Sequence, residues 1–142
     1  MIITRLQLPS AKTWTPVVTL VGGTGNVVPQ YSTVSGRYYI EAGFLHFQIN
    51  LSGDGGNEGA GSGQVNISLP VAVKSSNSSN CVIFCGSASN GSDTYITGMG
   101  IPGGTTTGAL YYINGISGAL ITGALQNNTQ RAIFLYGNYP VD

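Results

Sequence analysis

The sequence predicts an all-β fold, an antiparallel β-sandwich of jelly-roll type. Nine or ten short segments follow one another at regular spacing, separated by Gly or Asn, and no window shows a helical period. Glycine accounts for 22 of the 142 residues, and charged residues for only 7%. Several segments are apolar on both faces, as strands buried inside a sandwich are.

The predicted strands of the first half begin after an extended N-terminal segment. In residues 44–51, Leu45, Phe47, Ile49 and Leu51 alternate with polar residues, which indicates one buried and one solvated face. Ala42-Gly43 before this strand is a tight hairpin signal. In chain order, strands are expected at residues 14–21, 27–33, 37–41, 44–51 and 64–69.

The second half continues with strands separated by polar or glycine-rich loops. Residues 52–63 contain six glycines and no apolar residue larger than Ala, so we expect a flexible loop there. Further loops are expected at 75–80 and 98–108. The remaining strands are expected at residues 81–87, 93–97, 109–113, 118–125 and 131–139.

The length and charge of the chain restrict its organisation and its partners. We expect an extended N-terminal arm over residues 1–12 and a single sandwich domain over residues 13–142. Five Lys and Arg make no basic patch for nucleic acid, and no apolar run is long enough to span a membrane. Because no secretory signal is visible, we expect synthesis and folding in a cytosol.

The order of core and turn residues in the first half resembles a β-sandwich segment of tailed-phage virion proteins. These are tail-fibre tips, tailspike ends and capsid decoration (cement) proteins. The resemblance recurs weakly at residues 131–139 and implies a homotrimer located in a virion made in the host cytoplasm. The residues that carry it are Trp14-x-Pro16, Tyr31, Gly36-x-Tyr38, Gly43, Phe47 and Ser68-Leu69-Pro70.

Among virion proteins, we expect a trimeric capsid decoration protein that binds the major capsid protein and stabilises the expanded shell. The chain enters its sandwich within about a dozen residues, without the particle-binding domain and shaft that precede a fibre tip. The alternative is a short tail-fibre or baseplate tip. Such a tip would bind a host-surface glycan or receptor through Tyr and Asn on the loops at 52–63, 75–80 and 98–108.

The residues expected to contact these partners are apolar or aromatic. Ile2, Ile3, Leu6 and Leu8 of the arm are expected to add to a capsid neighbour as a strand. In each of the pairs Tyr38-Tyr39 and Tyr111-Tyr112 one ring points outward, and alternation selects Tyr39 and Tyr112 for the subunit interface. A register error of one residue would invert this choice.

Candidate catalytic and metal-binding residues are few, so no enzyme activity and no cofactor are predicted. His46, the single histidine, lies on a polar strand face without a nucleophile motif. Asp54 and Glu58, with Asn57, could hold calcium, but their spacing matches neither an EF-hand nor a calcium repeat, and a solvated loop is favoured. Cys81 and Cys85 are expected to be free thiols unless their strand bulges.

Overall fold

The structure, a computed structural model, describes residues 10–75, 81–90, 93–101, 104–114 and 117–142, without the side chains of 81–85, 110–114, 117–120 and 124–125. The described residues contain ten strands and one 3-10 helix, Gly123–Gln126, joined by turns and loops, and no α-helix. The strands are β1 (Lys12–Trp14), β2 (Val18–Val21), β3 (Thr33–Glu41), β4 (Phe44–Ser52), β5 (Gln64–Ser68), β6 (Cys81–Ser89), β7 (Thr94–Ile101), β8 (Thr107–Asn114), β9 (Ser117–Leu120) and β10 (Ala132–Pro140).

All ten strands belong to one antiparallel sheet, which confirms the all-β prediction. The hydrogen-bonded order is β1-β3-β4-β10-β6-β7-β8-β5-β2, with β9 also paired to β8. The two edge strands, β1 and β2, are consecutive in the chain and separated only by residues 15–17. Four peptide steps span at most about 14 Å. The sheet must therefore curl until its two edges lie close together.

The hydrophobic core fills the concave side of this curled sheet. Residues opposite one another in an antiparallel ladder point to the same face, so the pairs Leu135↔Ile49 and Tyr139↔Leu45 bury both members. The alternation predicted for β4 and β5 is confirmed. The larger buried apolar residues of the strands are Leu45, Phe47, Ile49, Leu51, Val65, Ile67, Met99, Ile101, Ile133, Leu135 and Tyr139.

The single strand predicted over residues 14–21 is wrong, because two strands on opposite edges of the sheet replace it. Pro16 has no N–H to donate to a ladder. At Val17 the backbone N–H donates to Ser68 Oγ at 2.8 Å, and Ser68 N–H donates to the Val17 carbonyl at 2.9 Å. The chain thus ends its pairing with β3 at Trp14, the last residue of β1. Within three residues it reaches the opposite edge of the sheet, where β2 pairs with β5.

Three further boundaries differ from the sequence prediction. Residues 27–33 form only one bridge, Val27↔Ala60, before β3 begins. The 98–108 loop is shorter than predicted, because β7 extends to Ile101 and β8 begins at Thr107. After β9 the predicted strand 118–125 turns into the 3-10 helix, which contacts the 52–63 segment: Gly59 N–H donates to the Gln126 carbonyl at 2.8 Å.

The predicted β3–β4 hairpin is confirmed, with Glu41 opposite Phe44. Both turn residues have positive φ, 50° at Ala42 and 79° at Gly43, which is the combination that a two-residue type I′ turn requires. This tight turn sets the register of two nine-residue strands. That register determines which side chains of β3 and β4 share the convex face.

Two sequence expectations fall on residues that the structure does not describe or describes only in part. The arm residues Ile2, Ile3, Leu6 and Leu8 lie outside the described residues. In β6 the register shifts between Phe84 and Gly86. Because a bulge was the stated condition for pairing Cys81 with Cys85, the state of these thiols stays open.

Candidate functional site

The candidate site lies on the convex face of the sheet, across β3, β4 and β10. Alternate residues of these strands point away from the core, and the ladder registers align them in rows. One row contains Arg37, Gln48 and Tyr136. The next row contains Tyr39, His46 and Asn138. Six polar or aromatic side chains from three strands thus share one surface.

These side chains line a groove of about 510 Å³, which we call the outer groove. The rings of Tyr39 and His46 stack with centroids 4.7 Å apart and planes 9° from parallel. Tyr136, from the neighbouring β10, is 70% exposed. Stacked and exposed rings present flat apolar area at little conformational cost, because each has only two rotatable side-chain bonds. The outer groove therefore has a preformed aromatic wall.

A smaller polar cavity of about 200 Å³ continues the outer groove. Ser35, Arg37, Gln48 and Asn50 line it, so that Arg37 and Gln48 belong to both. Asn50 Oδ1 is buried and accepts no hydrogen bond from any described residue. Buried polar atoms are nearly always satisfied by protein, water or ligand. This oxygen is available to a donor that enters the cavity.

The charge of the outer groove comes from one exposed cation. Arg37 forms no ion pair with any of the residues described, where the sole ion pair joins Arg131 to Asp54. Glu41 lies on the same face of β3, four residues away, which is about 13 Å along a strand. The guanidinium of Arg37 is thus left to interact with solvent or a ligand. Stacking, hydrogen bonding and charge pairing equip the groove for binding.

The residues that the sequence singled out, Tyr39, His46 and Tyr112, lie in three different strands of the sheet. Tyr39 lies half-buried on the convex face, while its neighbour Tyr38 packs against the core. His46 lies on the polar face of β4, as predicted. Tyr112 lies in β8 in register with Thr97, and its side chain is not among those described. The assignment of Tyr39 and Tyr112 to a subunit interface stays a prediction.

Sequence reasoning missed Arg37, Tyr136 and Asn138 as site residues. Ile133 and Leu135 already indicate which residues of β10 face inward, so the outward position of Tyr136 could have been inferred from alternation. The pairing of Tyr136 with Gln48 could not have been inferred from the sequence, since it joins strands that are far apart along the chain.

The 52–63 segment contacts a buried cation, and the flexibility expected for it stays a prediction. Arg131 is fully buried, and its guanidinium donates to three backbone carbonyls. Nε donates to Gln30 at 2.7 Å, Nη1 to Asn128 at 2.7 Å and Nη2 to Asn57 at 2.6 Å, with a further bond from Nη2 to Gln30. These contacts join three separate loops.

Two of the residues considered as calcium ligands, Asp54 and Asn57, contact this guanidinium. Asp54 Oδ1 lies 3.5 Å from Arg131 Nη2 and accepts the Gly56 N–H at 2.9 Å, while the Asn57 carbonyl accepts from the same Nη2. Glu58 is exposed. Within the described part of the chain, no three His, Cys, Asp or Glu residues come together as a metal site. Arg131 is thus a cation that contacts this loop.

Two buried tyrosines link the loops to the core. Tyr31 Oη donates to Gln126 Oε1 at 2.9 Å, and Tyr139 Oη donates to the Val71 carbonyl at 2.8 Å. Burial raises the pKa of Tyr31 above its usual value, although Arg131, 5.6 Å from the ring centroid, opposes this. Burial likewise raises the pKa of Tyr139 above its usual value.

We expect the free energy of unfolding to fall as the pH rises above about 10, the pKa of an unfolded tyrosine. Both phenols hold their protons more tightly when folded, so their stabilising effect is complete below that pH and is lost above it. Each group contributes a slope of up to about 1.4 kcal/mol per pH unit. Urea unfolding between pH 8 and 11.5 measures the slope.

Matched variants test the origin of this alkaline sensitivity. Tyr139→Phe should flatten the pH dependence, whereas Tyr136→Phe, which removes the hydroxyl of an exposed ring, should leave it unchanged. Equal slopes in the two variants would assign the sensitivity to other groups.

Comparisons with known proteins identify no relative: no family model, curated protein or solved structure matches the chain. In the described residues no helix is long and apolar enough to cross a membrane. The resemblance to phage virion proteins therefore remains an expectation from the sequence.

Proposed function

We propose that this chain is a structural virion protein of a tailed phage, a homotrimeric capsid decoration or cement protein. It would bind the major capsid protein and stabilise the expanded shell, without catalysis and without a cofactor. Each subunit would be a jelly-roll sandwich formed by the two halves of the curled sheet. This is supported by the contribution of strands from both halves, such as β4 and β7, to a single core.

The observation that carries the proposal is an apolar strip on the convex face. Phe134 lies opposite Ser87, and Ser87 lies opposite Ile96, so the three form one row. Phe134 is 45% exposed, Ile96 65% and the adjacent Tyr136 70%. Large exposed apolar groups in a row are typical of contact surfaces. With a net charge of zero, the chain has little electrostatic protection against association.

The test places a charge in the strip. Phe134→Asp should convert the trimer to monomers in light scattering and reduce binding to expanded capsids, because a carboxylate cannot be buried unpaired in an apolar contact. Val21→Asp is the matched control, since Val21 is 55% exposed on the edge strand β2. A monomeric wild-type protein, or equal dissociation of both variants, would contradict the proposal.

Shell stability tests the cementing role itself. Decorated shells should withstand higher temperatures than shells lacking the protein, because a protein that binds only the expanded state stabilises it by mass action. Adding back purified trimer should restore the difference, and deleting residues 1–9 should prevent that restoration while leaving the trimer folded. Equal heat resistance with and without the protein would contradict cementing.

A second candidate function is a receptor- or glycan-binding tip of a short tail fibre or baseplate. The outer groove favours it, because an aromatic wall beside polar side chains suits a small ligand better than a flat protein contact. Copy number separates the two candidates: a decoration protein is present in hundreds of copies per particle, a tip in a few trimers. Quantitative protein staining of purified virions measures this number.

A further inference from the structure

We infer that the outer groove binds a carboxylated saccharide, with Arg37 holding the carboxylate and the aromatic wall holding a sugar ring. The inference rests on the second candidate function, the glycan-binding tip, and specifies the chemical class of its ligand. It requires the groove to be open to solvent in the assembled protein.

The first argument is the unpaired cation. The chain has only five Lys and Arg, and Arg131 is buried among carbonyls and Asp54. Arg37 by contrast is exposed and lines both parts of the groove, without an acidic partner in the described residues. A guanidinium presents paired donors that match the two oxygens of a carboxylate. The groove is thus complementary to one negative charge.

The second argument is the position of the rings relative to this cation. Tyr39 is two residues from Arg37 on the same face of β3 and stacks on His46. Tyr136 shares the row of Arg37 and Gln48. The face of an aromatic ring carries partial negative charge. It therefore attracts the partially positive C–H hydrogens on the face of a sugar ring. A ring bound here would have its carboxylate within reach of Arg37.

The third argument is the supply of hydrogen-bonding groups for hydroxyls. Gln48 and Asn138 line the larger part of the groove, and Ser35 and Asn50 the smaller part. The buried, unpartnered Asn50 Oδ1 can accept a hydrogen bond from a ligand hydroxyl. Amides both donate and accept, as hydroxyl groups do. A phosphate polymer is disfavoured, because it requires several cations along its path.

The experiment compares two ligands with the same saccharide backbone, one with ionised carboxylates and one with neutral methyl esters in their place. Trigalacturonic acid and its methyl ester are titrated into the full-length protein by calorimetry. The acid should bind at least tenfold more tightly, and this preference should diminish as NaCl is raised. Arg37→Gln should remove the preference for the acid, and Tyr39→Ala should weaken the binding of both ligands.

Lys74→Gln is the charge-matched control, because Lys74 is exposed and lies outside the groove. It should leave the preference intact. Thermal unfolding of each variant verifies that the fold is retained. Equal binding of acid and ester, or an unchanged preference in Arg37→Gln, would overturn the inference that the ligand is carboxylated. Neither result would contradict a glycan-binding tip. No binding of either ligand would overturn the inference, and the particle copy number then judges the tip separately.

Discussion

Replacing Arg131 with methionine is expected to lower the free energy of unfolding by about 3–5 kcal/mol, because the hydrogen bonds that its buried guanidinium donates are lost. Methionine retains much of the apolar stem but cannot donate to the carbonyls of Gln30, Asn57 and Asn128. Each of these carbonyls would keep one backbone donor, the N–H of Gly55, Gln30 and residue 131 respectively. The loss is therefore that of the guanidinium hydrogen bonds, each worth about 1.5–3 kcal/mol because the donor is charged. Urea unfolding at neutral pH measures the loss.

The control for this prediction is Arg37→Met, which removes the same charge from the exposed convex face. Surface changes of that kind alter stability by about 0.5 kcal/mol or less. Arg131→Lys should lie between the two, because an ammonium keeps the charge but cannot reach three carbonyls in the same geometry. Hydrogen exchange should show faster exchange at Gly53 and Gly59, whose N–H groups bond within this region. Equal stability of Arg131→Met and Arg37→Met would contradict the role assigned to Arg131.

Replacing Trp14 with alanine is expected to cost about 2–4 kcal/mol, somewhat less than a fully buried tryptophan. The indole lies over Gly36 and meets the Tyr38 ring edge-on, with centroids 5.8 Å apart. Its Nε1 donates to the Ser68 carbonyl at 3.4 Å. Because Gly36 and Tyr38 belong to β3 and Ser68 to β5, this one side chain contacts strands from both ends of the sheet order.

A double-mutant cycle separates this contact from the general loss of apolar area. In Gly36→Ala the added Cβ would lie 2.6 Å from the indole, so the ring must move or the strands must separate. If Gly36→Ala acts by displacing the indole, the double variant should cost less than the sum of the single ones by about 1 kcal/mol. Additive losses would show that Trp14 and Gly36 act independently.

Local sequence pattern was sufficient to predict most of the strands and the β3–β4 hairpin, because alternation and a turn signal act over a few residues. It could not distinguish one strand from two at residues 14–21, since Val18 and Leu20 alternate in the same way whichever edge they join. The burial of Arg131 contradicts the usual exposure of arginine. Only the carbonyls of distant loops make that burial possible, and no local pattern reveals them.

The candidate site was even harder to predict from the sequence than the fold. Arg37, His46 and Tyr136 come from three strands, and they meet only because β10 pairs with β4 in one particular register. A shift of one residue would exchange these side chains for core residues. Alternation therefore identifies the members of each face, whereas the neighbours on that face depend on long-range pairing.

The central position of β10 determines when the fold can be completed during synthesis. β10 lies between β4 and β6, yet it leaves the ribosome after all nine other strands. Until it arrives, β4 and β6 expose unpaired edges, and the two partial sheets on either side of them have no strand to join them. The pairing of Pro140 with Phe44 is strongly non-local, and such contacts form slowly. Completion of the sheet therefore waits for β10, and during that interval the unjoined edges are open to pairing with other nascent chains.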